Sequence, residues 1–145
     1  MSSNDKDTLD ITPLTQAIAA YRNVLAYVSG VESKNDDEFE FYQLEAAKSA
    51  LIQHFKFSYE LCWKFMKRHL KQEGEDAELF SRKDVFRASI SKRIITDFDL
   101  WVKFHNARNS TSHTYDKAKA EEVFEVAKQF FHAFTEFVKA LEARI

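Results

Sequence analysis

The chain has 145 residues, 45% of them hydrophobic and 30% charged, with a formal net charge of −2 at pH 7. That is enough chain for one domain with a real core, and too apolar for a disordered polypeptide. The near-neutral balance argues against a protein that coats nucleic acid, and only 2 Gly and 1 Pro argue against a turn-rich β fold, a Walker A loop or a dinucleotide fingerprint.

Residues 1–11 read as a flexible lead, and MSSNDKDTLD is polar and acidic, without the apolar stretch of a signal peptide. Thr12-Pro13 is a helix start, with Pro at the first helical position. Leu14, Ile18, Tyr21, Leu25 and Val28 then form one apolar stripe. Gly30 is the expected stop, and the acidic run Asp36, Asp37, Glu38 fills a connector.

A long second helix is expected from about Phe39 to Gln72. Leu44, Ala47, Leu51, Phe55, Cys62, Met66 and Leu70 make its main stripe, widened by Ile52, Tyr59 and Trp63. Gly74 is its natural stop. The lone Cys62, set among Leu61, Trp63 and Phe65, reads as a small core residue. Ser81 with Asp84 opens a short third helix as a capping box, and Thr96 with Asp99 is expected to open a fourth in the same way. The last helix starts after Asp116. Ala120, Phe124, Ala127, Phe131, Phe134, Val138, Leu141 and Ile145 alternate spacings of four and three, flanked by Val123, Phe130 and Phe137. The expected fold is all-α: an up-down four-helix bundle with an additional short helix, one domain over residues 12–145.

Charge is unevenly spread: residues 1–48 hold 4 Lys/Arg against 9 Asp/Glu, residues 49–96 hold 10 against 6, and residues 97–145 hold 7 against 8. The basic middle allows a local phosphate contact, although such charges also suit solvated helix faces. The 14 Phe exceed what one four-helix core normally needs, so a homodimer is expected, with a thicker monomer core as the alternative. No apolar run approaches the roughly 20 residues that span a bilayer. The expectation is a cytoplasmic protein.

The chemistry gathers in RNSTSHTY, Arg108 to Tyr115, between two aromatic-rich helices. Arg108 offers a planar fork of donors for a phosphate, and His113 can exchange a proton near neutral pH. Along an unbroken helix the two would point about 140° apart. The Ser-Thr-Ser between them competes for backbone hydrogen bonds and favours a break. Such a pair can cleave RNA without a metal: imidazole activates the ribose hydroxyl and guanidinium stabilises the charge on phosphorus. A twofold partner would bring a second His as the acid. Asn109 is a candidate for supporting the pocket. On spacing alone, helix capping and packing is the commoner role for such residues.

Lys64, with Lys67 and Arg68 a turn later, is a candidate basic rim for RNA or nucleotide phosphates. Asp97-Phe98-Asp99 echoes an Asp-x-Asp metal pair, but the Gly-Ser that should precede it is absent and a cap is the better reading. His54, His69, His105 and His132 lack metal-ligand spacing, so neither a metal nor a cofactor is expected.

The Arg-x4-His-x-Tyr pattern, with Arg108, His113 and Tyr115 in register, resembles the signature of the HEPN superfamily. ALIQHFKFSYELCWKFMKRHL (Ala50 to Leu70), RKDVFRASISKRII and DLWVKFHNARNSTSHTYD resemble, more narrowly, its nucleotidyltransferase substrate-binding proteins. The likeness covers about Phe39 to Phe137. It implies a HEPN-like, dimeric adaptor or substrate-binding partner of a minimal nucleotidyltransferase encoded nearby, in a two-component module of toxin–antitoxin type. Tyr115 would then be the nucleotidylation acceptor. The alternative it implies is a metal-independent ribonuclease using Arg108 and His113 across a homodimer. In neither case is the chain itself the transferase.

Overall fold

A computed structural model describes residues 8–34 and 38–145. Five α-helices follow in order: α1 Thr12–Glu32, α2 Glu38–Gln72, α3 Arg82–Ser91, α4 Phe98–Ser110 and α5 Lys117–Glu142. There is no strand among the described residues, and no helix there is long and apolar enough to cross a membrane. The flexible lead falls mostly on residues 1–7, and the acidic connector at Asp36 and Asp37, both outside the described residues. Glu38 belongs to α2 rather than to the connector.

Cross-helix contacts fix the directions. Tyr59 of α2 meets Trp101 and His105 of α4, while Glu60 meets Arg108. On α5, Lys48 pairs with Glu121 and Phe55 packs on Phe130, so α2 and α5 run parallel. Lys103 of α4 reaches Gln129 of α5, and Ser110 lies near Ala118, which sets those two antiparallel. Helix α1 runs against α5, with Tyr21 on Phe131 and Glu32 on Lys128. The result is the up-down bundle of α1, α2, α4 and α5, with α3 as the short extra helix packed on α2 and α4.

Phe130 centres the core. Its ring meets Tyr21, Phe55, Trp101, Phe104 and Phe134 at centroid distances of 5.0–5.8 Å. Offset and edge-on aromatic pairs of this kind add directional preference to area burial. The flank Val123, Phe130 and Phe137 is fully buried, whereas Phe131 of the expected main stripe is half-buried and Ile145 is exposed. Helix α5 thus turns its seam slightly from the four-three stripe, because it must face α1, α2 and α4 at once. Cys62 is buried and free.

Two expected boundaries move. Helix α1 runs through Gly30 to Glu32, since Val28 and Val31 continue its buried face. Gly74, by contrast, does terminate a helix: at φ 88° it lets Glu75 N–H reach the Leu70 carbonyl and Gly74 N–H the Lys71 carbonyl. Helix α3 ends in the same motif, but with Arg93 at φ 64° in the place a glycine usually takes. Ser81 caps α3 as expected, its hydroxyl accepting from Asp84 N–H. The cap of α4 is Asp97, not Thr96: its carboxylate accepts from Leu100 N–H and leaves Asp99 in the first turn. A carboxylate at that end also faces the positive pole of the helix.

Candidate functional site

RNSTSHTY occupies the end of α4, a tight turn and the approach to α5. The Ser-Thr-Ser segment ends the α-helix at Ser110, the break expected there. It tightens α4 into a 3-10 turn at Thr111–His113. The hydroxyls explain this: Thr111 Oγ1 donates to the Arg108 carbonyl at 2.7 Å, and Ser112 Oγ to the Asn109 carbonyl at 3.1 Å. Side chains satisfy carbonyls at a helix end that has run out of backbone donors. Asp116 then caps α5, its carboxylate accepting from Ala118 and Lys119 N–H.

The turn divides the expected residues into two groups. Arg108, still on α4, points back to α2, where its Nε donates to Glu60 Oε2 at 3.0 Å. His113 and Tyr115 lie beyond the turn. Their contact is with each other, Nδ1 to hydroxyl at 3.4 Å and rings edge-on at 5.9 Å between centroids. Among the described residues no hydrogen bond joins Arg108 to His113. Tyr115 is 84% exposed, more than any other large apolar side chain described. It borders a cleft of about 400 Å³ walled by Phe41, Lys48 and Ile52 of α2 and by Lys117 and Glu121 of α5. A larger groove of about 730 Å³ between α4 and α5 holds none of the three motif side chains.

Sequence reading missed the polar network behind Arg108. Glu60 Oε1 also accepts from Arg82 Nη1 at 3.4 Å, so one carboxylate joins α2, α3 and α4. Arg82 Nη1 donates to the Tyr59 hydroxyl as well, at 3.4 Å. Tyr59 in turn meets His105 Nδ1 at 3.0 Å, and Asn109 Nδ2 reaches His105 Nε2 at 3.4 Å. Asn109 therefore supports the network through His105 rather than facing His113. The guanidinium of Arg82 lies 3.8 Å from the centre of the Trp63 ring. Burial, then the charges of Arg82 and Arg108, hold His105 below the ordinary imidazole value, although Glu60 opposes them.

The basic rim is smaller than expected. Lys67 is committed to Glu78 at 2.7 Å, and Arg68 lies over Phe65. The hydrogen bonds from Lys67 and then Lys71 hold the Glu78 carboxyl down at about 2. Lys64 is exposed and makes no ion pair among the described residues. The histidines form no metal cluster there either. His69 is buried and His105 is bonded to Tyr59.

With this geometry in place, comparison with known proteins decides the family. Residues 9–143 match the family described as nucleotidyltransferase substrate binding protein like. The chain belongs to that family. As a nucleotidyltransferase substrate binding protein-like chain, it is similar over 92% of its length to a solved Haemophilus influenzae protein, with 99% of that chain covered. The TM-score is 0.84 at 27% identity, and that structure is described as the fold of a substrate binding domain of a nucleotidyltransferase. The chain is also 42% identical over 76 residues to the probable ribonuclease HepT of Haemophilus influenzae. That match takes in 50% of this chain and 52% of the relative, so it spans about half the length of each.

Proposed function

We propose that this protein is the substrate-binding partner of a separate minimal nucleotidyltransferase, in a two-component module, and that the Tyr115 phenol is the acceptor. The observation that carries the reading is the pairing of an 84% exposed Tyr115 with His113 at 3.4 Å. The phenol oxygen attacks the α-phosphorus of a nucleoside triphosphate held by the transferase. The new oxygen–phosphorus bond replaces the bond to pyrophosphate, which leaves. His113 Nδ1, in the tautomer that leaves its lone pair towards the hydroxyl, takes the phenolic proton. An acceptor must reach into another protein's active site, and a side chain standing clear of its own surface does so at little cost.

The test is intact-mass measurement after co-expression with the adjacent transferase. The expected product carries one or more nucleotidyl groups, absent from Tyr115→Phe and reduced in His113→Ala. An unchanged mass gain in Tyr115→Phe would sink the assignment.

A second reading, metal-independent RNA cleavage by Arg108 and His113, draws support from the likeness to a probable ribonuclease. Within one chain Arg108 faces Glu60 and His113 faces Tyr115, so this reading needs a homodimer to converge the two on one phosphodiester. It expects cleavage in the presence of chelator, lost in His113→Ala.

A further inference from the structure

We propose that Arg82 joins Arg108 in a two-guanidinium site for the phosphate of a nucleotide, free or in an RNA strand, with Glu60 as the resident acid that this phosphate competes against. The inference rests on reading this end of the bundle as a nucleotide-handling surface, yet its test needs no transferase.

The two oxygens of Glu60 are shared out, Oε1 to Arg82 at 3.4 Å and Oε2 to Arg108 at 3.0 Å. One carboxylate therefore brings two guanidinium groups, from α3 and α4, to a separation that a single anion bridges. Carboxylate and phosphate present the same kind of paired oxygens to an arginine fork. Glu60 thus marks where such oxygens fit.

The site is not neutralised. Two positive charges meet one negative charge, and Lys83 adds to the field that reaches His105. Donors remain. Among the described residues, Arg108 uses only its Nε and Arg82 only its Nη1 in hydrogen bonds to protein acceptors. The side chains of Arg82, Arg108 and Glu60 are 26%, 28% and 28% exposed, open to an anion but shielded enough that its charge is felt. Arg82 is also pre-oriented, stacked on Trp63 at 3.8 Å and lying 5.6 Å from the Tyr59 ring centre. Little rotamer freedom is left to lose on binding.

A purely structural strut has the same contacts but a different response to mutation. The full chain is titrated at low ionic strength with ATP in one arm and a single-stranded oligoribonucleotide in the other. Wild type is expected to bind at least one of them, and the arm that responds names the source of the phosphate. Arg82→Gln should weaken that binding about tenfold, the loss of one charge-assisted fork. Glu60→Gln, which removes the competing charge and keeps an amide oxygen, should strengthen it about threefold. Lys103→Gln, on the α4–α5 groove, should leave it unchanged. If Arg82→Gln fails to fold by circular dichroism, Arg82→Lys replaces it and should bind more weakly than wild type. Failure of wild type to bind either probe overturns the proposal. So does undiminished binding by the Arg82 variant, or weakening in Glu60→Gln alongside it. Labelling of Tyr115 by the transferase is independent of all these outcomes.

Discussion

Arg108 Nε stands 3.0 Å from Glu60 Oε2, forty-eight residues back along the chain, so the motif arginine is anchored to α2 rather than to its own loop. Both side chains are 28% exposed, so solvent screens the pair only in part and its net contribution to stability stays small. A double-mutant cycle of Arg108→Ala and Glu60→Ala, read by urea unfolding, should give a coupling of about 1 kcal/mol or less. A coupling well above that would mean the pair holds α2 and α4 together and is structural first.

Burial pushes the phenols of Tyr21 and Tyr59 far above their ordinary value of 10.0. The folded state therefore favours the protonated phenol. Its contribution is complete below that ordinary value and is lost as pH rises beyond it towards the folded-state values. Tyr21 also donates to the Ala127 carbonyl at 2.7 Å in the core. Tyr21→Phe should cost about 0.5–1.5 kcal/mol at neutral pH and flatten the alkaline decline. Denaturant melts at pH 7.5 and at pH about 10.5 measure both; equal losses in wild type and variant at the higher pH would refute the link.

His69 and His105 are both held below the ordinary imidazole value of 6.5, chiefly by burial. Each then binds fewer protons folded than unfolded, so stability falls as pH drops from about 7 through that value. Glu78, at about 2 when folded, gives its full stabilisation above its ordinary 4.5 and loses it only at lower pH, outside this window. Wild type should melt at a lower temperature at pH 5.5 than at pH 7.5, and His105→Gln should shrink the difference. A difference of the same size in both would remove His105 from the account.

Two backbone positions can be improved. Gly30 sits inside α1, where an added Cβ meets nothing within 4 Å. Gly30→Ala should add about 0.5–1 kcal/mol through helix entropy. Arg93 holds φ 64° at the end of α3, so Arg93→Gly should relieve strain of about 1 kcal/mol, partly offset by the freedom glycine gains when unfolded. Thermal melts of the two variants and their double should show nearly additive gains; a loss in Arg93→Gly would mean its side chain matters more than its backbone.

Local residue patterns were enough to give the class of fold, the helix order and the family resemblance. Long apolar stripes at spacings of three and four are local and periodic, so α2 and the start of α5 could be read to within a residue or two, although the stripe runs on past the end of α5 to Ile145. Caps carried by the backbone's nearest neighbours were legible at Ser81 and Asp116, whereas Thr96 lost to Asp97 because two adjacent oxygens compete and tertiary packing chooses the entry angle. Gly30 was misread for a related reason: helix packing through Val31 outweighs one residue's propensity. The motif letters Arg108, His113 and Tyr115 were visible in the chain, but their grouping was not. Only the tertiary structure brings Glu60, Arg82 and Arg108 from three helices to one carboxylate, and only the 3-10 turn sends His113 to Tyr115 instead. Periodicity reports which face of a helix is buried. It carries no information about which polar side chain from another helix will meet it there, because that is set by helix register and crossing, to which residues far apart in sequence all contribute.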